Sequence, residues 1–163
     1  MNTLKPSSSI LILGIGNYLM GDEGVGVHFV NQLKEEEPGL ADIIDGGTAG
    51  FQLMEYLESY PHVILIDATL DGKPAGTIQK IKPHFSKDFP SAMSTHEIGL
   101  KDLVEGLLLL GKLPDIHLFI MSIEKVQPLS TLLSPEIENA LPELKRQVIA
   151  LAKTLSSDVT QPA

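Results

Sequence analysis

The sequence predicts an α/β fold in which helices sandwich a mainly parallel sheet. Three observations point to it. Short apolar runs alternate along the chain with stretches of helical periodicity. The run HVILIDA, residues 62–68, is apolar almost throughout, as a strand buried on both faces must be. The run GTIQKIK, residues 76–82, instead alternates apolar and polar residues, as an exposed edge strand does.

The elements follow in order. SILILG, residues 9–14, is a short apolar strand ended by glycine. An acidic loop leads to a helix over residues 25–37, with Val27, Val30 and Leu33 at helical spacing and Pro38-Gly39 as its stop. ADIIDGG holds a second strand ending at Asp45. Residues 50–57 form a helix with Phe51, Met54 and Leu57 on one face. HVILIDA is the third strand and GTIQKIK the edge strand. PHFSKDFPSAMST, residues 83–95, has two prolines and no periodicity, and a loop of that length in a compact domain is often functional. A helix over residues 98–111 and a fifth strand, IHLFIMSIE, come next. Ser134-Pro135-Glu136 opens a last helix with a capping serine and a proline at the first position. Its stripe is Ile137, Leu141, Leu144, Val148, Leu151 and Leu155, and Pro142 is expected to kink or split it. With no repeat and no linker, residues 1–163 read as one domain, with 1–8 and 156–163 as flexible ends.

Composition narrows the chemistry. There is no cysteine, which removes disulfides, thiolate metal sites and a cysteine nucleophile. A net charge of −9 without a Lys/Arg cluster argues against nucleic acid. The N-terminus lacks the apolar core of a signal peptide. The greasiest stretch, LVEGLLLLGKL, is too short and too interrupted for membrane insertion. These features lead to the expectation of a soluble, cytoplasmic protein; a monomer is expected as well, although no feature of the sequence fixes the oligomeric state.

In parallel sheets the working site lies beyond the C-terminal ends of the strands. That rule selects the loop from Asn17 to Glu23, the turn Asp45-Gly46-Gly47-Thr48, and Asp67 at the end of the third strand. The first loop, GIGNYLMGDEGVG, opens like a dinucleotide-binding turn. The third glycine of that fingerprint is missing, however, because position 19 is Leu19, and Asp22 and Glu23 stand where phosphate would sit. Asp45 could imitate the ribose-binding acid, but that one match does not restore the fingerprint. HEIGL, at His96–Leu100, lacks the second histidine of a zinc-protease helix, and GxSxG is absent.

What remains is a set of acids and one histidine: Asp22 and Glu23 in the first loop, Asp67 at the end of the third strand, and His96, which could equally cap a helix or fill a pocket. Two carboxylates and an imidazole make a hard-to-borderline metal site with open positions, and the strand-end rule favours Glu23 and Asp67. Blander readings stand beside this one. Asp22 caps the following helix. Gly46 and Gly47 make a turn, and Asn17 adopts a left-handed conformation or bonds across its loop. His28, His62, His84 and His117 are structural or solvated.

Together GIGNYLMGDEGVGV, DGGTAG, LIDA and STHEIGL, in this order and at these distances, resemble the hydrogenase maturation endopeptidases. The resemblance implies a three-layer α/β/α sandwich around a five-stranded mixed sheet with one antiparallel edge strand, for which GTIQKIK is the candidate. It also implies removal of a C-terminal extension from the nickel-loaded precursor of a nickel–iron hydrogenase large subunit. The metal-contacting and catalytic residues would be Glu23, Asp67 and His96. The nickel belongs to the substrate, and no permanently bound metal is expected. Asn17, Asp45, Gly46, Gly47 and Thr48 are candidate substrate contacts. Whether a carboxylate or the metal activates the attacking water stays open, as does a purely aspartic-type mechanism. A rival reading is a nickel-sensing or chaperone-like protein that binds the large subunit without cutting it.

Overall fold

The computed structural model describes residues 5–48, 50, 52–84, 86–88 and 100–160. Apolar runs form the strands β1 (Ile10–Ile15), β2 (Asp42–Gly47), β3 (His62–Thr69), β4 (Ile78–Ile81) and β5 (Asp115–Ser122). The helices are α1 (Val25–Glu36), α2 (Gln52–Ser59), α3 (Leu100–Leu109) and α4 (Pro135–Thr160). A 3-10 turn, Gly21–Gly24, precedes α1.

The sheet order is β2-β1-β3-β5-β4. All neighbours are parallel except β4, which runs antiparallel to β5 at the edge. This is the mixed sheet expected, with GTIQKIK supplying its antiparallel edge. The three central strands, β1, β3 and β5, are the most apolar and the most buried. Alternation along them divides the core in two. Ile10, Ile12, Ile64, Ile66, Phe119 and Met121 pack against α1 and α4. Leu11, Leu13, Val63, Leu65, Leu118 and Ile120 pack against α2 and α3. Three layers result.

Two features of the last helix differ from the sequence reading. α4 is not split at Pro142 and runs unbroken through it. Ile137 before the proline and Leu144 and Val148 after it are all buried in the same core cluster, which favours keeping the helix continuous. Glu138, whose carbonyl loses its intrahelical donor to the proline, is exposed, so water can satisfy that group. The helix also continues to Thr160, past the end of its apolar stripe. α3 is described from Leu100; the expected start at Ile98 lies outside the described residues.

At the end of the sheet away from the loops selected by sequence, one carboxylate ties three strands together. His62 Nδ1 and His117 Nε2 lie 3.0 and 2.9 Å from Asp115 Oδ2, and Lys82 Nζ lies 2.9 Å from Oδ1. His62 opens β3, Asp115 opens β5, and Lys82 follows β4, so the cluster fastens the edge strand to the sheet. Burial opposes the charge on Asp115, but the bonds from Lys82, His62 and His117 outweigh it and hold the carboxyl well below the usual carboxylate range. Burial likewise outweighs Asp115 at His117 and keeps that imidazole below its ordinary value.

Both shifts make the folded state bind fewer protons than the unfolded chain, so both weaken the fold as pH falls. His117 contributes from about pH 6.5 downward and Asp115 from about pH 4 downward. Thermal melting across pH should therefore show a decline that steepens below about pH 4. Asp115→Asn should melt below the parent at neutral pH and decline less steeply in acid. Parallel profiles for the two proteins would exclude the cluster as the cause.

Candidate functional site

The crevice at the C-terminal ends of β1 and β3 is where the sheet order reverses: the chain leaving β1 goes to β2 on one side, and the chain leaving β3 goes to the β4–β5 side. Ligands of open α/β sheets bind at such switch points. β1 pairs with β3 only as far as Gly14↔Ile66, whereas β3 continues beside β5 through Asp67↔Ile120 to Thr69↔Ser122. Asp67 is therefore the first residue of β3 beyond its β1 partner, near the C-terminal end of the strand as the sequence suggested. It is fully buried, on the face of Leu65 by alternation, and its Oδ1 accepts the Ala68 N–H at 2.8 Å.

Glu23 lies in the loop after β1. Gly16 reverses the chain at φ +140° and accepts the loop's return: a Cβ there would lie 2.4 Å from the Glu23 carbonyl oxygen. Asn17 braces the bend, with its Oδ1 accepting the Leu19 N–H at 2.9 Å and its carbonyl the Met20 N–H at 3.1 Å. It bonds within the loop and is not left-handed; among the described non-glycine residues only Leu129 has positive φ. The 3-10 turn then packs directly on β3 with Glu23 buried in it. α1 follows at once. A Cβ at Gly26 would stand 2.3 Å from the Ile66 carbonyl oxygen and 2.6 Å from that of Ile15, so only glycine permits this approach.

Asp22 does not cap α1, whose N-cap Gly24 makes no side-chain bond. Its buried carboxylate instead accepts the Ser134 N–H at 2.7 Å, at the start of α4, and the Gln127 amide at 3.1 Å. Gln127 was not singled out in the sequence. The same strand-end rule, applied to the loop after β5, would have found it.

The turn after β2 lies alongside, because Gly16 N–H donates to the Gly47 carbonyl at 2.9 Å. Asp45 is exposed, bonded to the Gly47 N–H at 2.9 Å and to Asn31 Nδ2 at 3.2 Å. Gly46 is buried against Leu13 and Leu53, whereas at Gly47, with φ +53°, a Cβ would meet only Asp45 Oδ1, at 3.8 Å. Thr48 is exposed.

Of the other histidines, His28 stacks on Tyr18 with ring centroids 4.5 Å apart. Burial pushes it down despite the charges of Asp22 and Glu138. His62 and His117 belong to the Asp115 cluster, and His84 is exposed. His96 lies outside the described residues. Among the described residues no three histidine, aspartate or glutamate side chains form a metal-holding group.

Comparison with known proteins agrees with this architecture. Residues 27–151 match the hydrogenase maturation protease family. The hydrogenase 2 maturation protease of Escherichia coli is 33% identical over 146 residues, covering 86% of this chain and 88% of that protein. The solved structure of the hydrogenase maturating endopeptidase HybD from Escherichia coli superimposes with a TM-score of 0.79 at 31% identity, covering 89% of this chain and 92% of that one. A hydrogenase 2 maturation peptidase structure from a Thaumarchaeota archaeon gives a TM-score of 0.67 at 29% identity, covering 87% and 96%. The chain belongs to the hydrogenase maturation protease family and is a peptide-bond endopeptidase.

The tight seat of α1 is testable. Gly26→Ala should lose about 3 kcal/mol of stability in denaturant unfolding, because rigid carbonyls cannot yield to the added methyl. Gly39→Ala, at an exposed glycine with nothing within 4 Å, should change it by less than about 0.5 kcal/mol. Equal midpoints for the two variants would refute the close approach.

Proposed function

We propose that this endopeptidase removes the C-terminal extension of a nickel–iron hydrogenase large-subunit precursor after nickel insertion, and that the nickel carried by the substrate is its recognition element. The observation that supports this reading is that two acids are buried in neighbouring elements: Asp67 in β3 just past its last β1 partner, and Glu23 in the 3-10 turn that packs on β3. With His96 from the HEIGL segment they make a donor set of two carboxylates and one imidazole. That set suits a borderline divalent ion and leaves coordination positions for groups of the substrate itself.

Each residue has a task in this reading. Glu23, Asp67 and His96 touch the precursor's metal, so that only a loaded precursor docks with its scissile bond in place. A carboxylate of the pair is also suited to orient and deprotonate the attacking water. Asn17 shapes the floor of the loop. Asp45, Gly47 and Thr48 present an open turn to the substrate backbone, and buried Gly46 lets that turn sit close to β1. The protein acts on its precursor as a monomer in the cytoplasm. In support, both described acids come from one chain, and no described helix is long and apolar enough to cross a membrane.

Asp67→Asn separates recognition from folding. The amide keeps the size of the side chain and an acceptor for the Ala68 N–H but loses the charge. The variant should melt at or above the parent's temperature, since a buried charge at a functional site burdens the fold. Processing of nickel-loaded precursor, followed by gel or mass analysis, should fall by orders of magnitude, because a neutral amide is a poor ligand and a poor base. Full processing would remove Asp67 from the mechanism, and binding without cleavage by the parent protein would favour a chaperone-like role.

A further inference from the structure

We infer that Asp22 and Gln127 form a positioning clamp that sets the place of Glu23 for the reaction. The inference rests on the role given to Glu23 above. The 3-10 turn that carries Glu23 has no side-chain cap of its own. Four hydrogen bonds instead tie its first two residues to the segment between β5 and α4. Gly21 N–H donates to the Ser130 carbonyl at 2.8 Å, and Asp22 N–H to Gln127 Oε1 at 2.8 Å. Gln127 Nε2 donates to Asp22 Oδ2 at 3.1 Å, and Ser134 N–H to Asp22 Oδ1 at 2.7 Å.

The Asp22–Gln127 pair is reciprocal. Gln127 reads the backbone of Asp22 with its oxygen and the side chain of Asp22 with its nitrogen, so the turn cannot rotate or slide without breaking both bonds. Gly21, at φ +59°, leaves the space the Gln127 side chain fills: a Cβ there would meet Gln127 Oε1 at 2.2 Å. Asp22 is 2% exposed, so water is poorly placed to replace these partners. The next residue along the chain is Glu23. The neighbouring Leu19 and Ser130 extend the tie through the Ser130 N–H to Leu19 carbonyl bond at 2.9 Å. The two acids of GDEG thus divide the work: one is held by the protein so that the other can be offered to the substrate. A misplacement of about 1 Å at a reacting group costs on the order of 100-fold in rate, so a clamp one residue away has leverage over turnover.

The test exchanges the polarity of the pair. Gln127→Glu sets two carboxylates against each other and removes the Nε2 donor. The double variant Asp22→Asn with Gln127→Glu restores an amide–carboxylate pair running the other way, and the oxygen of the introduced amide can still accept from Ser134. Both variants, with Glu23→Gln and the parent, are assayed on nickel-loaded precursor at neutral to alkaline pH, with circular dichroism reporting the folded fraction at the assay temperature. Gln127→Glu should remain folded and lose roughly 10- to 100-fold in kcat. KM, set mainly by the docking of a whole protein, should change less, and the double variant should recover most of kcat. If Gln127→Glu does not fold, the double variant decides: activity near the parent's supports the clamp, and a folded but slow enzyme overturns it. Parent-like kcat in folded Gln127→Glu, while Glu23→Gln is inactive, overturns the clamp and leaves the proposed function standing. Parent-like turnover by Glu23→Gln overturns both.

Discussion

The approach of the first turn of α1 onto the backbone of β1 and β3 is the contact on which the rest of the site depends. At Gly26 the helix comes so near that a methyl group would lie inside van der Waals contact of two carbonyl oxygens, those of Ile66 and Ile15. Gly16 allows the same intimacy one turn earlier, where the loop folds back onto itself. Moving α1 outward by the width of a side chain would carry the 3-10 turn, and Glu23 with it, away from β3, the strand in which Asp67 is buried. The glycines that imitate a phosphate-binding loop are there to bring backbone against backbone, and the space a phosphate would take holds acidic residues.

That arrangement requires buried acids to be stabilised, and the acids around the crevice are stabilised differently. Asp22 is consumed by structure: its carboxylate is saturated by the start of α4 and by Gln127, from a segment more than a hundred residues away. Asp67 lies within a central strand, past the point where β1 stops pairing, so the geometry of the sheet alone brings it to the crevice. The opposite end of the sheet carries its own acid, Asp115, whose basic neighbours fasten the edge strand instead of serving a site. Acids thus occur at both ends of the sheet. Only the end beyond the strand termini, where the order reverses, also has the open turn at Gly47 and the loop of Asn17.

Much of this was legible from sequence because it depends on periodicity and on strand ends. Strand alternation exposed GTIQKIK as the edge, and uninterrupted apolarity placed HVILIDA in the centre. The strand-end rule alone reached Asn17–Glu23, Asp45–Thr48 and Asp67. Contacts between distant segments were not legible. Nothing in GDEG says that Asp22 bonds Ser134 and Gln127 instead of capping its own helix. Nothing in DGG separates Gly46, buried against Leu13 and Leu53, from the open Gly47. At Pro142 local chemistry allows a split as well as a kink, and burial of Ile137 and Leu144 in one core cluster keeps the helix from splitting.

The central claim is that Glu23, Asp67 and His96 converge on one divalent ion. Crystals of the protein soaked in nickel or cadmium, with anomalous diffraction recorded at the metal's edge, test it most directly. The account predicts a peak within ligand distance of a Glu23 oxygen, an Asp67 oxygen and a His96 ring nitrogen, weakening as the crystals are moved to acid pH and the imidazole protonates. A fully occupied peak elsewhere, with these three side chains turned apart, would contradict it.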